Sequence, residues 1–366
     1  MTDSGRNSTM ARAGGRTARS SSDVCPIHCI IPPYMLKEIA RRGSAGQQAW
    51  AWQTLTLSEQ MRGQRQALSV IAAMGTTATG TKRRTIYDAR NGTRLPGRMV
   101  RGEGDPRGKD RAVNEAYDGS GVTYDLYFKV FGRNSIDERG MRLDSTVHYG
   151  RNYDNAFWNG QQMVYGDGDG ELFNRFTIAI DVIGHELTHG VTEYEAGLEY
   201  QDQSGALNES FSDVFGSLVK QYKRRQTAKE ADWLIGKGLL ARGVKGKALR
   251  SMKEPGTAYD DDILGKDPQP GHMTDYVKTR DDNGGVHINS GIPNRAFYET
   301  AIRLGGNAWA KAGQIWYATL RDKLRPASSF KDAARWTVAV ARDRYGAGSL
   351  EQKAVRGGWA AVGMRV

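Results

Sequence analysis

The stretch Asp181-Val-Ile-Gly-His-Glu-Leu-Thr-His-Gly190, followed by Asn208-Glu-Ser-Phe-Ser-Asp213, decides how the rest of the chain is read. On a helix, His185 and His189 are four residues apart and project from one face, where two imidazole nitrogens can meet one metal ion. The helical period turns Glu186 about 100° from His185, so its carboxylate can reach a water at the metal without ligating the metal itself. A catalytic zinc site wants three protein ligands and one open position, and Glu209, opening a second helical pattern, is the natural third. Asp213 lies one turn further on. From there it can accept the remaining ring proton of a ligand histidine, His185 by this reading, which fixes the tautomer and raises the ligand's basicity.

Length and composition set the frame for that motif. At 366 residues, 39% hydrophobic and 25% charged, the chain is globular in composition and long enough for two lobes with an accessory segment. No run of eighteen apolar residues offers a membrane span. The net charge of +11 is spread along the chain and no readout motif accompanies it, which favours a solvated basic surface over a nucleic-acid site. Cys25 and Cys29 both lie near the N-terminus and cannot staple the fold. Residues 1–24 are polar and basic, lack the apolar core of a secretory signal, and read as a disordered tail.

Further along, residues 35–42 read as a short helix ended by Gly43 and residues 45–73 as a second. The Gly/Thr-rich stretch 75–81 is a linker and the best boundary for proteolytic nicking. From 85 to about 170, runs such as Thr85-Ile-Tyr87, Val147-His-Tyr149 and Met163-Val-Tyr165 alternate with Asn-Gly and Asp-Gly turns, a pattern of strands interrupted by one helix near 110–131. Helices are expected over 176–192 and 208–224. A loop-rich connection then runs to residue 289, and more helices follow over 293–305, 308–324, 330–345 and 350–362. Trp316, Leu320, Trp336 and Val340 are expected in the core. The fold class is α+β, with a mainly β N-terminal lobe and an α-helical C-terminal lobe.

Four blocks occur in an order that resembles the thermolysin family of zinc endopeptidases. They are Asn155-Ala-Phe-Trp-Asn-Gly160 with Met163-Val-Tyr-Gly-Asp-Gly-Asp-Gly170; His185-Glu-Leu-Thr-His189 with Gly197-Leu-Glu-Tyr-Gln-Asp-Gln-Ser-Gly-Ala-Leu-Asn-Glu-Ser210; Leu249-Arg-Ser-Met252; and Asp282-Asn-Gly-Gly-Val-His-Ile-Asn-Ser-Gly291. The segment holding Ile31-Pro-Pro-Tyr34 resembles the compact propeptide of the protealysin subgroup. The resemblance implies two lobes with the zinc helix between them, 81–192 and 193–366, behind a propeptide over 25–80 that covers the cleft of a zymogen until it is cut.

By the same resemblance His185, His189 and Glu209 ligate one zinc ion and Glu186 is the base. Tyr200 and His287 donate to the oxyanion, and Asp282 holds the His287 ring. Asn155, Ala156 and Arg250 hold the backbone of a peptide or protein substrate. Phe173, Phe176, Val182, Ile235 and Leu249 form an apolar pocket on the leaving-group side. Relatives often bind paired calcium ions near the zinc helix, but Lys220 and Lys237 stand here where acids are expected beside Asp181 and Asp232. An ammonium supplies no oxygen ligand, so the double calcium site is expected to be absent and Lys–Asp pairs to replace it. Cys25, His28 and Cys29 raise the idea of a latch on the zinc, though small buried propeptide residues fit them better. A monomer is expected. Export would be leaderless, as is common in the family, or the protein cytoplasmic. The rival readings are an inactive zinc-bound scaffold and, on charge alone, a nucleic-acid binder.

Overall fold

The computed structural model describes residues 28–68 and 80–366. The first strand, β1 (His28–Cys29), leads into α1 (Pro33–Arg42) and α2 (Ala45–Leu68). Pro33 opens α1, where a missing N–H costs nothing, and Gly43 ends it. Next come β2 (Arg84–Asp88), β3 (Arg98–Arg101), α3 (Arg111–Phe131), β4 (Leu143–Val147), β5 (Ala156–Trp158) and β6 (Met163–Tyr165). The Asp110 side chain caps α3 by accepting from Val113 N, and Gly132 closes it at a left-handed φ of 70°.

These strands form one sheet in the order β1-β5-β6-β4-β2-β3. β2 and β6 run parallel to β4, and the remaining pairs are antiparallel. Strands β3 and β5 are not marked in the sequence reading. At four and three residues both are too short to show alternation.

The zinc-motif helix is α4 (Ile180–Tyr194). It begins four residues later than expected, because Phe176–Ile178 forms a separate 3-10 turn. Its neighbour α5 (Asp202–Arg224) starts six residues before the expected 208, so Glu209 lies two turns inside the helix instead of at its mouth. Beyond it, β7 (Leu234–Ile235) pairs with β8 (Arg250–Ser251) and β9 (Asp260–Asp261) with β10 (Gly265–Lys266). The expected loop then contains a further helix, α6 (Asp282–Asn289). Helices α7 (Gly291–Leu304), α8 (Ala312–Asp322), α9 (Phe330–Tyr345) and α10 (Leu350–Ala361) complete the C-terminal lobe.

One apolar core runs through both lobes, joining Leu126, Ile183, Phe215, Trp316, Leu320, Val340 and Trp359. Trp336, expected in that core, is 38% exposed on α9 with the Lys323 ammonium 5.5 Å over its ring. The N-terminal segment belongs to the same core: Ile30, Ile31, Leu36 and Ile39 are all buried in it. Four such aliphatics contribute about 6–12 kcal/mol of transfer free energy, an upper bound before chain entropy. The expected tail over residues 1–24, Cys25, most of the linker and the end of the second helix lie outside the described residues.

Candidate metal centre and cleft

Helices α4 and α5 approach so closely that a Cβ on Gly216 would come 2.4 Å from the Asp181 carbonyl oxygen, while one on Gly184 would meet Val219 at 3.0 Å. That approach faces the histidines of α4 toward the acids of α5. Asp213 Oδ1 lies 2.8 Å from His185 Nδ1, and Asn208 Oδ1 lies 2.7 Å from His189 Nδ1. A carboxylate and an amide oxygen can only accept, so each Nδ1 donates and each Nε2 carries a lone pair.

Those two Nε2 atoms are 3.0 Å apart, and Glu209 oxygens sit 3.5 Å from each. Two imidazole nitrogens and a carboxylate, all buried, converge, and Glu209 Oε2 accepts no hydrogen bond among the described residues. Ligand atoms from His185, His189 and Glu209 all lie within 4.8 Å of one another. Two imidazoles and a carboxylate are the donor set of a catalytic zinc site. The residues present therefore fit the ion. Asp213 is in turn fixed by Arg250, whose Nε and Nη2 each donate at 2.8 Å. Burial pushes the Asp213 carboxyl up, but Arg250 and His185 outweigh it and hold the group well below the usual carboxylate range.

Around this triad stand the other expected groups. Glu186 is buried, and its Oε2 accepts from Trp158 N on β5 at 3.1 Å. The Tyr200 hydroxyl donates to Glu209 and lies 3.1 Å from His287 Nε2. Burial and the Glu209 carboxylate raise the Tyr200 pKa well above its ordinary value, so the phenol remains a donor. His287 reaches the site because Asn283, Gly284 and Gly285 turn left-handed, with φ of 51°, 82° and 76°, at the start of α6. Asp282 Oδ1 then meets His287 Nδ1 at 2.6 Å, while Oδ2 accepts from the His287 backbone. Burial lowers the His287 pKa, but Asp282 and Glu209 outweigh it and raise it overall.

The residues expected to form the apolar pocket are buried. Phe173, Phe176, Val182, Ile235 and Leu249 are all at most 1% exposed and share one apolar cluster with Ile30. Residues 28–31 run along β5, with His28 opposite Trp158 and Cys29 opposite Phe157. The Cys29 side chain packs among Tyr149, Tyr153, Phe157 and Val164, outside the metal-ligating group among the described residues. Sequence reasoning missed Asn208 as the partner of His189, although it lies in the quoted Asn208-Glu209 block. It also missed Trp158 as the anchor of Glu186, a backbone contact that side-chain identity does not encode.

Further along the same helix seam, Lys220 Nζ lies 2.8 Å from both Asp181 Oδ2 and Asp232 Oδ1, and Lys237 Nζ lies 3.5 Å from Asp232 Oδ2. The expected Lys–Asp pairs are therefore present. Burial works against the Lys220 charge, yet Asp181 and Asp232 outweigh it and raise its pKa.

A buried triad of two imidazoles and a carboxylate, with a second glutamate beside it and an extended segment of chain laid along the neighbouring strand β5, points to a metallopeptidase. Comparison with known proteins makes the class specific. Residues 57–193 match the thermolysin metallopeptidase catalytic domain and residues 196–364 its alpha-helical domain, so the chain belongs to the thermolysin family of metalloendopeptidases. It is 55% identical over 342 residues to an extracellular metalloprotease of Pectobacterium carotovorum, covering 93% of this chain and 97% of that one. Protease PrtS of Photorhabdus is 51% identical, with 92% of each chain covered. Among solved structures, the precursor of protealysin from Serratia proteamaculans superposes with a TM-score of 0.84 at 57% identity, covering 92% of this chain and 99% of that one.

Proposed function

We propose that the chain is the zymogen of a zinc-dependent neutral endopeptidase that prefers a bulky apolar residue on the leaving-group side of the cut bond. The observation that carries the reading is the pair of Nε2 atoms 3.0 Å apart facing the Glu209 carboxylate, with Glu186 on the adjoining face. A zinc ion held by His185, His189 and Glu209 supplies Lewis acidity and a water that ionises near neutral pH. Glu186 takes that water's proton and returns it to the departing amine, general base and then general acid. Tyr200 and His287 donate to the oxyanion, and Asp282 and Asp213 orient the rings. Substrate lies antiparallel to β5, its backbone held by Asn155, Ala156 and Arg250, with an apolar side chain among Phe173, Val182, Ile235 and Leu249. The alternative of an inactive scaffold is disfavoured because every group of this set is present.

Residues 25–80 act as the inhibitory propeptide, 81–192 form the lobe with the zinc helix, and 193–366 the helical lobe. The protein works outside the cell, as the name of its Pectobacterium relative suggests, and it works as a monomer. The double calcium site of the family is replaced by the Lys220 and Lys237 ammonium groups. Measurement of a quenched peptide with Leu after the cut bond tests the whole reading. Expected are hydrolysis after propeptide removal, loss with a zinc chelator, recovery with zinc, and no calcium bound at the Lys220 cluster. Hydrolysis that survives both chelation and Glu186→Gln would overturn it.

A further inference from the structure

The segment before the double proline does more than fill the cleft. Ile30 N donates to Ala156 O at 3.2 Å, and Arg250 Nη1 donates to Ile30 O at 3.2 Å. Ile31 N donates to Asn155 Oδ1 at 3.0 Å, and Asn155 Nδ2 returns a bond to Ile31 O at 3.4 Å. These are the three groups assigned to a substrate backbone, each bonded to the residue that follows a scissile bond or to the next one. The Ile30 side chain is fully buried, in the apolar core that also holds Phe173, Val182, Ile235 and Leu249. On the other side of the bond, the Cys29 carbonyl oxygen lies 3.2 Å from His287 Nε2, the proposed oxyanion donor. Chain polarity is that of a substrate, antiparallel to β5.

We propose that the Cys29–Ile30 peptide bond is the precursor's own first substrate, cut within the molecule that carries it. This inference rests on the endopeptidase reading above. Hydrolysis adds water's hydroxyl to the Cys29 carbonyl carbon and breaks the C–N bond. Glu186 transfers the water's remaining proton to the Ile30 nitrogen, and the new carboxyl gives up its own proton to the amine, leaving a Cys29 carboxylate and an Ile30 ammonium. Water is the sole co-reactant. Because the bond is tethered in register, the step is unimolecular. The nick does not free the cleft: Ile30, Ile31, α1 and α2 remain docked through Arg250, Asn155 and the shared core, whereas the described residues before the nick, His28 and Cys29, are held by the two-residue β1 pairing and by the packing of the Cys29 side chain. Release of the inhibitor then requires the second cut, in the linker.

Full-length protein purified in chelator and then given zinc tests this by intact mass and N-terminal sequencing. A new terminus at Ile30 is expected, formed at a rate constant that dilution leaves unchanged, and absent in Glu186→Gln. Ile30→Asp places a charge in the apolar pocket and slows the nick ~100-fold, while the same variant, once its propeptide is removed at the linker, hydrolyses the quenched peptide at the parent rate. A readout without turnover uses metal-free protein in a Cys25→Ser background, where the buried Cys29 thiol is alkylated ~10-fold faster when Ile30→Asp breaks the register. An activated enzyme that cuts the quenched peptide while precursor keeps Cys29–Ile30 intact would overturn the proposal and leave the peptidase reading standing. A rate that rises with concentration would overturn the intramolecular claim. If neither bond is cut, the peptidase reading itself falls.

Discussion

The seam between helices α4 and α5 carries two buried polar clusters along its length, and the two are built on opposite plans. In one, His185, His189 and Glu209 point donor atoms at a common centre and place no cation among themselves. In the other, Asp181 and Asp232 close on the Lys220 ammonium, with Lys237 at the rim. Buried charge must be compensated, and these clusters show two solutions within one helix pair. The first leaves the positive charge to come from solution, where an open coordination position can do chemistry. The second takes it from the chain, and the result is purely structural.

The sharpest way to break that contrast is to disarm the first cluster without touching its fold. Glu186→Gln is expected to lower kcat on a quenched peptide by about 10³-fold or more with zinc content and melting temperature unchanged. Zinc loss along with activity would mean that Glu186 holds the ion instead of moving a proton. Next in size, Lys220→Met strands Asp181 in the interior and is expected to cost about 3–5 kcal/mol in denaturant unfolding. Lys220→Glu, in contrast, restores an oxygen cage, and its stability is expected to rise with added calcium while that of Lys220→Met does not. A calcium response in the parent protein at this cluster would erase the distinction. Arg250→Met in the activated enzyme removes one charge-assisted bond to the substrate carbonyl. It also takes two bonds from Asp213, which keeps those to His185 and Asn294, so kcat/KM is expected to fall by about 10–100-fold, mostly through KM.

The smallest effect comes from a third, half-exposed cluster. There His148 bridges Asp167, at 2.8 Å, and Asp110, at 2.9 Å. Hydrogen bonding to Asp167, opposed by partial burial, raises the His148 pKa from 6.5 to about 9. A raised folded-state value stabilises the protein fully below pH 6.5, and the contribution disappears as pH rises through 9. Melting curves of the parent and His148→Asn should therefore differ below pH 6.5 and converge above pH 9. The gap is expected to stay within about 1 kcal/mol because solvent screens the ring. A gap that widens with pH would reverse the assignment.

What was legible in the sequence is what lies on one helix face or in one short block. His185, Glu186 and His189 need only the 3.6-residue period, and Asp213 needs one more turn beyond Glu209. Lys220 and Lys237 could be read as replacing acids, because a residue's charge needs no geometry to be recognised. Contacts between elements were harder. Asn208 meets His189 only because glycines let α4 and α5 close up. The start of α5 at Asp202 was missed because its first turn, Asp202-Gln-Ser-Gly205, has no apolar periodicity. Asn283-Gly-Gly285 read as loop because all three residues are left-handed, yet that turn is what delivers His287. Trp336 followed the apolar spacing of α9 but faces solvent, where Lys323 covers part of its ring.

The pairing of β1 with β5 carries a last implication, for solubility. A five-stranded sheet ending at β5 would offer unsatisfied N–H and C=O groups to any extended chain nearby, and a peptidase cannot blunt that border without losing its grip on substrate. By laying its own leading residues there, the precursor keeps the border capped while it folds. The activated protein, once uncapped, is then expected to be the more aggregation-prone of the two at high concentration, unless peptide is present to take the empty lane.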